Sequence, residues 1–471
     1  MPQNNPASLW SSINAAGSLS SRLWAGPDAD ASWGELAESS ILDCKSDELR
    51  GKTVLLATLD QFRSIAALIE LDGLVRRVVL YPHDLSREHL SYVAETAEAD
   101  VVVTDQSDHS DEPELEALLP KACRVAYCRQ ALVPAMIDRS APIETEWILL
   151  TSGTTGLPKL VQHTYKSLAG EIDRAPGTAA STVWATFYDM RRYGGLSIFL
   201  RAIVTGCSLV LRAPHETSPD LVARAASHGV THFSGTPSHW RSALMSSAAG
   251  LMSPRNIRMS GEIADQAILN QVRQQYPNAS VSHAFASTEA GVVFEVNDGL
   301  MGVPAETIAA LGKVEMKVEN RTLRIRSSRT AMRYLGQGSP VLKDSEGFVD
   351  SGDELEMRDG RYYFAGRRDG TINVGGFKVH PEEVEAVINR HPEVTMSLVR
   401  SKKNPITGAL VIADIVLKTP PASGAAVTRA LQSDILQFCR AELDAHKVPA
   451  AINIVPMLAI GESGKLVRRH A

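Results

Sequence analysis

The chain has 471 residues, a formal net charge of −6, and 44% apolar and 22% charged residues. That length calls for two or more domains with ample cores, and the composition excludes wholesale disorder. The acidic balance removes any electrostatic pull toward nucleic acid or an anionic membrane surface. Five cysteines (Cys44, Cys123, Cys128, Cys207 and Cys439) form no C-x-x-C pair, which argues against a disulfide framework and a zinc site and suits a reducing compartment. The N-terminus lacks the basic start and apolar block of a signal peptide. The most apolar stretch, Leu196 to Leu211, is broken by Arg201 and is too short to span a bilayer. A soluble cytoplasmic protein is expected.

Residues 1 to about 50 are polar and Ser/Ala-rich, with weak structural signals. From Thr53 the pattern sharpens. Val54 to Leu56 reads as a strand, Gln61 to Leu71 as a helix and Arg77 to Tyr81 as a strand. Ser86 can cap a helix whose Leu90, Val93, Ala94 and Ala97 share one face, and Val101 to Val103 is a further strand. This alternation predicts an α/β layer architecture with parallel sheets. Residues 107 to 145, acidic and then Pro-containing, read as a loop-rich approach to the apolar strand Trp147 to Leu150.

That strand empties into Thr151, Ser152, Gly153, Thr154, Thr155 and Gly156, closed by Pro158 and Lys159. Hydroxyls, glycines free of side-chain hindrance and one lysine suit a polyphosphate, because backbone N–H groups can turn inward to hold an anion. The loop is not a Walker A loop. Counting from Gly153, that pattern needs Gly at 158 and Ser or Thr at 160, where Pro158 and Leu160 stand. A polar surface turn is the bland alternative.

Further on, Leu196 to Leu200 and Cys207 to Leu211 continue the apolar rhythm. Gln266 to Gln275 reads as a helix, and Val281 to Phe285 as a strand ending in Ala286-Ser287-Thr288-Glu289. After Arg321 come short alternating strands, and Gly366 to Gly376 has the charge and glycine of a linker. A small α+β unit follows: a helix opening at Pro381, a strand over Leu410 to Leu417, a helix carrying Val427, Leu431, Ile435 and Cys439 on one stripe, and a strand over Ala451 to Val455.

Five motifs stand in a fixed order: TSGTTGLPK at Thr151 to Lys159, FASTE at Phe285 to Glu289, SGD at Ser351 to Asp353, GRRD at Gly366 to Asp369 and SGK at Ser463 to Lys465. Together they resemble the adenylate-forming superfamily of acyl-CoA synthetases, peptide-synthetase adenylation domains and firefly luciferase, over about residues 50 to 467. The look is closest to acyl- or aryl-CoA ligases. The resemblance implies a large N-terminal domain of layered sheets and helices (1–368) and a small mobile α+β lid (369–471). It implies ATP-dependent activation of a small-molecule carboxylic acid to an acyl-adenylate, then a thioester with coenzyme A. A stand-alone enzyme loading a carrier-protein phosphopantetheine, with an acyl carrier protein as partner, and a non-catalytic nucleotide-binding homologue are the alternatives.

By that resemblance, Thr151 to Gly156 and Lys159 hold phosphates, and Thr288 donates to the α-phosphate. Glu289 has the hard oxygen that Mg²⁺ prefers; a strand-end salt bridge is its other reading. Phe285 stacks on adenine or is an ordinary core residue. Asp353 and Arg367 bind the ribose hydroxyls or shape turns. Lys465, a point charge able to bridge carboxylate and phosphate, would alone be read as solvated tail. Asp369 is the hinge, and Gly375 and Gly376 line a thiol tunnel. The acyl pocket is expected at Arg192, Gly194, Gly261, Ala284 and Ala286.

Several positions depart from the family pattern. Arg192 stands where many acyl-CoA ligases have histidine, and can bind a second carboxylate or a polar ring substituent, or sit in a surface salt bridge. Ala286 replaces a glycine, and Asn320-Arg321-Thr322 replaces the usual Gly-Glu. Asp189 lies three residues before Arg192, out of place for an amino-group partner. A non-amino-acid carboxylate, aryl or short to medium acyl, is favoured.

Overall fold

The strands expected between residues 53 and 104 pair in parallel, with Thr53–Leu56 between Arg77–Leu80 and Val101–Thr104, and Arg77–Leu80 also beside Glu146–Thr151. The computed structural model describes residues 8–17, 19–27, 29–106, 115–151, 156–173, 181–310, 312–404, 408–419, 425–461 and 465–467. Every residue of the first three strands is buried, as a parallel sheet covered on both faces demands. They form the middle of an eight-stranded sheet that runs from Arg333–Leu335 at one edge to Ser39–Leu42 at the other. A second eight-stranded sheet has Val183–Thr186, His232–Gly235, Asn256–Ser260 and Ser280–Ser287 as parallel neighbours.

Between the sheets lie the Gln61–Leu71 and Tyr193–Thr205 helices, whose Leu68, Leu71, Leu196 and Phe199 are wholly buried in one shared core. A helix apolar nearly all round belongs in such an interior. The layers bring strand ends from both sheets together. Gln61 donates to the Arg212 carbonyl and accepts from the Met190 amide, tying the first sheet's helix to loops of the second. A five-stranded antiparallel sheet, Val349–Arg358 and Arg361–Arg367 among its strands, covers one side. The C-terminal unit has a separate core from Ile372 to Ile452, built on the Gly408–Leu417 strand, the Pro381–Ile388 and Ala425–Glu442 helices and the Ala451–Ile454 strand. No helix among the described residues is long and apolar enough to cross a membrane.

Three stretches depart from expectation. The loop-rich approach contains an eleven-residue strand, Arg124–Pro134. Its exposure pattern is mostly open, so the two-residue alternation that marks a half-buried strand is missing; pairing with Val101–Thr104 and Ser39–Leu42 supplies its order instead. The weak N-terminal region adds Arg22–Trp24 and Asp30–Ser32 to the second sheet and Ser39–Leu42 to the first. Pieces of three or four residues are too short to declare themselves. In the C-terminal unit Val394–Asn404 is a long strand, paired along its length with Gly408–Leu417, where no strand is expected from the sequence. Its second half is charged and exposed.

Candidate active site

The first half of the site is a hairpin. Glu146–Thr151 runs antiparallel to Lys159–Thr164, and Thr151 stands opposite Lys159. The loop therefore connects adjacent strands and delivers both residues to one face. Gly156 has φ +85°, a left-handed conformation that suits glycine. Ser152, Gly153, Thr154 and Thr155 lie outside the described residues. The Lys159 ammonium sits 5.4 Å from the centre of the Tyr334 ring.

The second half comes from the other sheet. Ser280–Ser287 bulges between Phe285 and Ala286 before handing over to Thr288 and Glu289, and such bulges re-aim the residues that follow. The Tyr334 hydroxyl donates to Glu289 Oε1 at 3.1 Å, and the Ala331 amide donates to the Glu289 carbonyl. Burial, then the Glu289 carboxylate, pushes the Tyr334 hydroxyl's pKa up, so it stays a donor. Lys159, Tyr334 and Glu289 thus form one row across the gap between sheets.

His163 closes that gap from below and is a residue that the motifs do not mark. Its Nε2 lies 2.7 Å from the Thr288 carbonyl and its Nδ1 2.9 Å from Ser167 Oγ, with the ring wholly buried. A carbonyl only accepts, so Nε2 carries the proton and Nδ1 accepts from the Ser167 hydroxyl. Burial lowers the His163 pKa from 6.5 to about 4. A depressed histidine favours the fold above its unfolded pKa, and the advantage is lost as pH falls from 6.5 through 4. That shift amounts to about 3 kcal/mol. Urea unfolding at pH 7 and pH 4.5 is expected to show a larger loss of stability for the wild type than for His163→Gln; equal losses would count against this role.

Asp353 and Arg367 are direct cross-strand partners in the five-stranded sheet. Gly352, at φ +72°, lies within the Val349–Arg358 strand where its register shifts, just before Asp353. The Arg367 charge is felt at the Tyr334 hydroxyl, which places this pair on the same side as Glu289. Phe285 stacks on Phe364 (5.1 Å between centroids, 11° between planes) and faces Phe294 at 5.8 Å, while remaining part-exposed. Phe285→Ala is expected to cost about 3 kcal/mol of stability as a packing loss. A rise in the Michaelis constant for ATP with no change in stability would instead leave the ring a purely ligand-facing role.

The expected acyl pocket divides. Gly194 lies flat on Tyr188, where a Cβ would come within 3.1 Å of the ring, and the Tyr188 hydroxyl is hydrogen-bonded to Ser260. Ser260 pairs with Ala284 on the neighbouring strand, and Ala286 follows two residues on. Gly194, Gly261, Ala284 and Ala286 therefore share one area. Arg192 points elsewhere: its guanidinium makes two contacts of 2.6 and 2.7 Å with the Asp84 carboxylate. Asp189 is buried and engaged by Arg191, whose pairing holds its carboxyl well below the usual range against the cost of burial.

Lys465 reaches this area from the far end of the chain. Its Cε lies 3.9 Å from where a Cβ on Gly261 would be. The Leu466 amide donates to Glu262 Oε1, while Glu262 Oε2 accepts from the Ser238 amide. One carboxylate thus clamps the lysine loop to the large domain; Ser463 lies outside the described residues. The connection between the units is a 3₁₀ turn, Arg368–Gly370, following an extended Arg367. The side chain of Asp369 is outside the described set. Gly375 and Gly376, both at positive φ, form the turn of the Ile372–Val374 and Phe377–Val379 hairpin. Among the described residues no atom beyond their neighbours comes within 4 Å of where their Cβ atoms would be, so in this arrangement they stand apart from Lys465.

A family profile described as AMP-binding enzyme matches residues 74–331, and one described as AMP-binding enzyme C-terminal domain matches residues 383–465. The chain belongs to the AMP-binding enzyme family. Among curated family members, a 2-succinylbenzoate–CoA ligase of Escherichia coli is 28% identical over 52% of this chain and 52% of its own. The human mitochondrial acyl-coenzyme A synthetase ACSM2B is 26% identical over 69% of this chain and 60% of its own length. The chain thus matches about half to two thirds of these relatives. Two solved structures share the fold at 19% identity: an anthranilate CoA ligase in complex with anthranoyl-AMP (TM-score 0.78, 98% of this chain and 96% of that one) and a benzoate CoA ligase from Burkholderia xenovorans (TM-score 0.77, 98% of each).

Proposed function

We propose that the protein is an AMP-forming acid–thiol ligase, which joins a small aryl or short- to medium-chain carboxylic acid to ATP as an acyl-adenylate and then passes the acyl group to coenzyme A. The observation that carries this reading is Lys465 clamped over Gly261, beside the strand ends that deliver Thr288 and Glu289. In the first half-reaction a carboxylate oxygen attacks the α-phosphorus and pyrophosphate leaves. In the second a thiolate attacks the acyl carbon and AMP leaves. Both partners of the first step are anions, so fixed positive charge and donors at the developing oxyanions lower its barrier.

Thr151 to Gly156 and Lys159 are assigned to the phosphates, the Thr288 hydroxyl and Lys465 to the reacting α-phosphate, and Asp353 with Arg367 to the ribose. Glu289 suits Mg²⁺. No group of three or more His, Cys, Asp or Glu among the described residues could hold a resident metal, whereas Mg²⁺ typically takes one or two carboxylates plus substrate phosphate oxygens. Held there, it would neutralise phosphate charge. Residues 369–471 serve as the lid, turning about Asp369 so that Lys465 withdraws and Gly375 and Gly376 approach the pantetheine path. The INVGGFKVHPEEVE segment supports coenzyme A over a carrier-protein phosphopantetheine. Acid-dependent ATP–pyrophosphate exchange over a panel of carboxylic acids tests the first half. Product mass with coenzyme A against a loaded carrier protein tests the second. ATP binding with no exchange for any acid would leave the non-catalytic alternative.

A further inference from the structure

The Arg333–Leu335 strand is tied to both halves of the site. Tyr334 pairs with Val161, and directly opposed residues project to the same face of a sheet. Lys159, Val161 and His163 alternate along their own strand, so they share that face with Tyr334. Leu160 and Leu335 project the other way, into a separate apolar core. The shared face looks onto the second sheet, because His163 Nε2 donates to the Thr288 carbonyl at 2.7 Å. Just before the strand, the Ala331 amide donates to the Glu289 carbonyl and the Met332 amide to the Gln162 carbonyl.

Those contacts hold the backbone of Thr288 and Glu289 from two sides but do not direct the Glu289 side chain. Among the described residues its one hydrogen-bond partner is the Tyr334 hydroxyl, 3.1 Å from Oε1, and Oε2 has none. The same ring carries the Lys159 ammonium, 5.4 Å from its centre. A hydroxyl donating to a carboxylate makes a charge-assisted bond, and a ring face attracts a cation. One half-buried side chain, outside all five motifs, therefore meets an anion from the second sheet and a cation from the first.

We propose that Tyr334 is a positioning residue for the phosphate site: its hydroxyl occupies Oε1 of Glu289, so that Oε2 is the oxygen presented to an ATP-bound divalent cation, and its ring seats Lys159 alongside. This rests on the ligase reading and deepens its account of the phosphate site. Tyr334→Phe removes the hydroxyl and keeps the ring, whereas Tyr334→Leu removes both. ATP binding to the full chain is measured by calorimetry with no carboxylic acid present, once in EDTA and once with Mg²⁺, for variants of unchanged Tm. Tyr334→Phe is expected to weaken binding of the Mg²⁺ complex by about tenfold, the scale of one hydrogen bond to a charged group, and to leave metal-free binding within about twofold. Tyr334→Leu should also weaken metal-free binding, by about threefold, the scale of one exposed cation–π contact. In a Glu289→Ala background Tyr334→Phe should change Mg²⁺-ATP binding by less than about twofold, because the hydroxyl acts through the carboxylate. Equal weakening of both forms by Tyr334→Phe, or additive losses in the double variant, overturns the proposal. Wild-type ATP binding that ignores Mg²⁺ overturns it too. These binding results stand without turnover, so a lack of ATP–pyrophosphate exchange with every acid would count against the ligase reading alone.

Discussion

Lys465→Ala is expected to slow acyl-adenylate formation by roughly 10²- to 10³-fold, the scale for losing one preorganised donor at a developing charge. The Lys465 side chain is held with its Cε over Gly261 by the peptide group that follows it: the Gly461 amide donates to the Lys465 carbonyl, and the Leu466 amide donates to Glu262. None of these contacts uses the side chain, so alanine should leave the loop docked and remove charge alone. Thioester formation from supplied acyl-AMP should be spared, because AMP departure does not need the lysine that brought two anions together. Stopped-flow measurement of the two half-reactions separates them, and an equal loss in both would defeat the assignment.

Asp369→Pro is expected to do the reverse. Proline fixes φ near −65°, compatible with the 3₁₀ turn over Arg368–Gly370, and so restricts rotation at the proposed hinge. Proline also disfavours a helical conformation at the residue before it, here Arg368. That strain, on the order of 1 kcal/mol, predicts an adenylation rate lowered by less than about tenfold. Thiolation, which requires the lid to leave this arrangement, should fall by at least about 100-fold. Unimpaired thiolation, measured by single turnover from acyl-AMP with coenzyme A, would remove Asp369 from the hinge role.

The Glu262 clamp bears on both results. It joins Ser238, at the start of one large-domain helix, to Leu466 in the tail. The Asn389 amide of the C-terminal unit adds a second tie, to Asp265, whose carboxylate also binds Arg241 at 2.5 Å. These are a few polar contacts beside the separate core of the C-terminal unit, which suits an interface proposed to open. Neither Glu262 nor Asp265 falls in a motif.

The chain's own order of residues determined the alternation of buried strands and helices from Thr53 to Val103, the polyphosphate-like character of Thr151 to Lys159, and the separate α+β unit opening at Pro381. Those are local properties: apolar period, glycine freedom and proline at a helix start act within a few residues. It also supplied the groups proposed to carry the chemistry, because Lys465, Glu289, Thr288 and Asp353 sit in short motifs with fixed spacing. Only the tertiary structure decided what surrounds them. The Arg124–Pro134 and Val394–Asn404 strands owe their order to distant partners rather than to alternation. His163 meets Thr288 across 125 residues of sequence. Arg192 is paired because Asp84, 108 residues before it, reaches its guanidinium. Charge in a sequence is a local fact, but whether that charge is spent depends on long-range contacts that only folding makes.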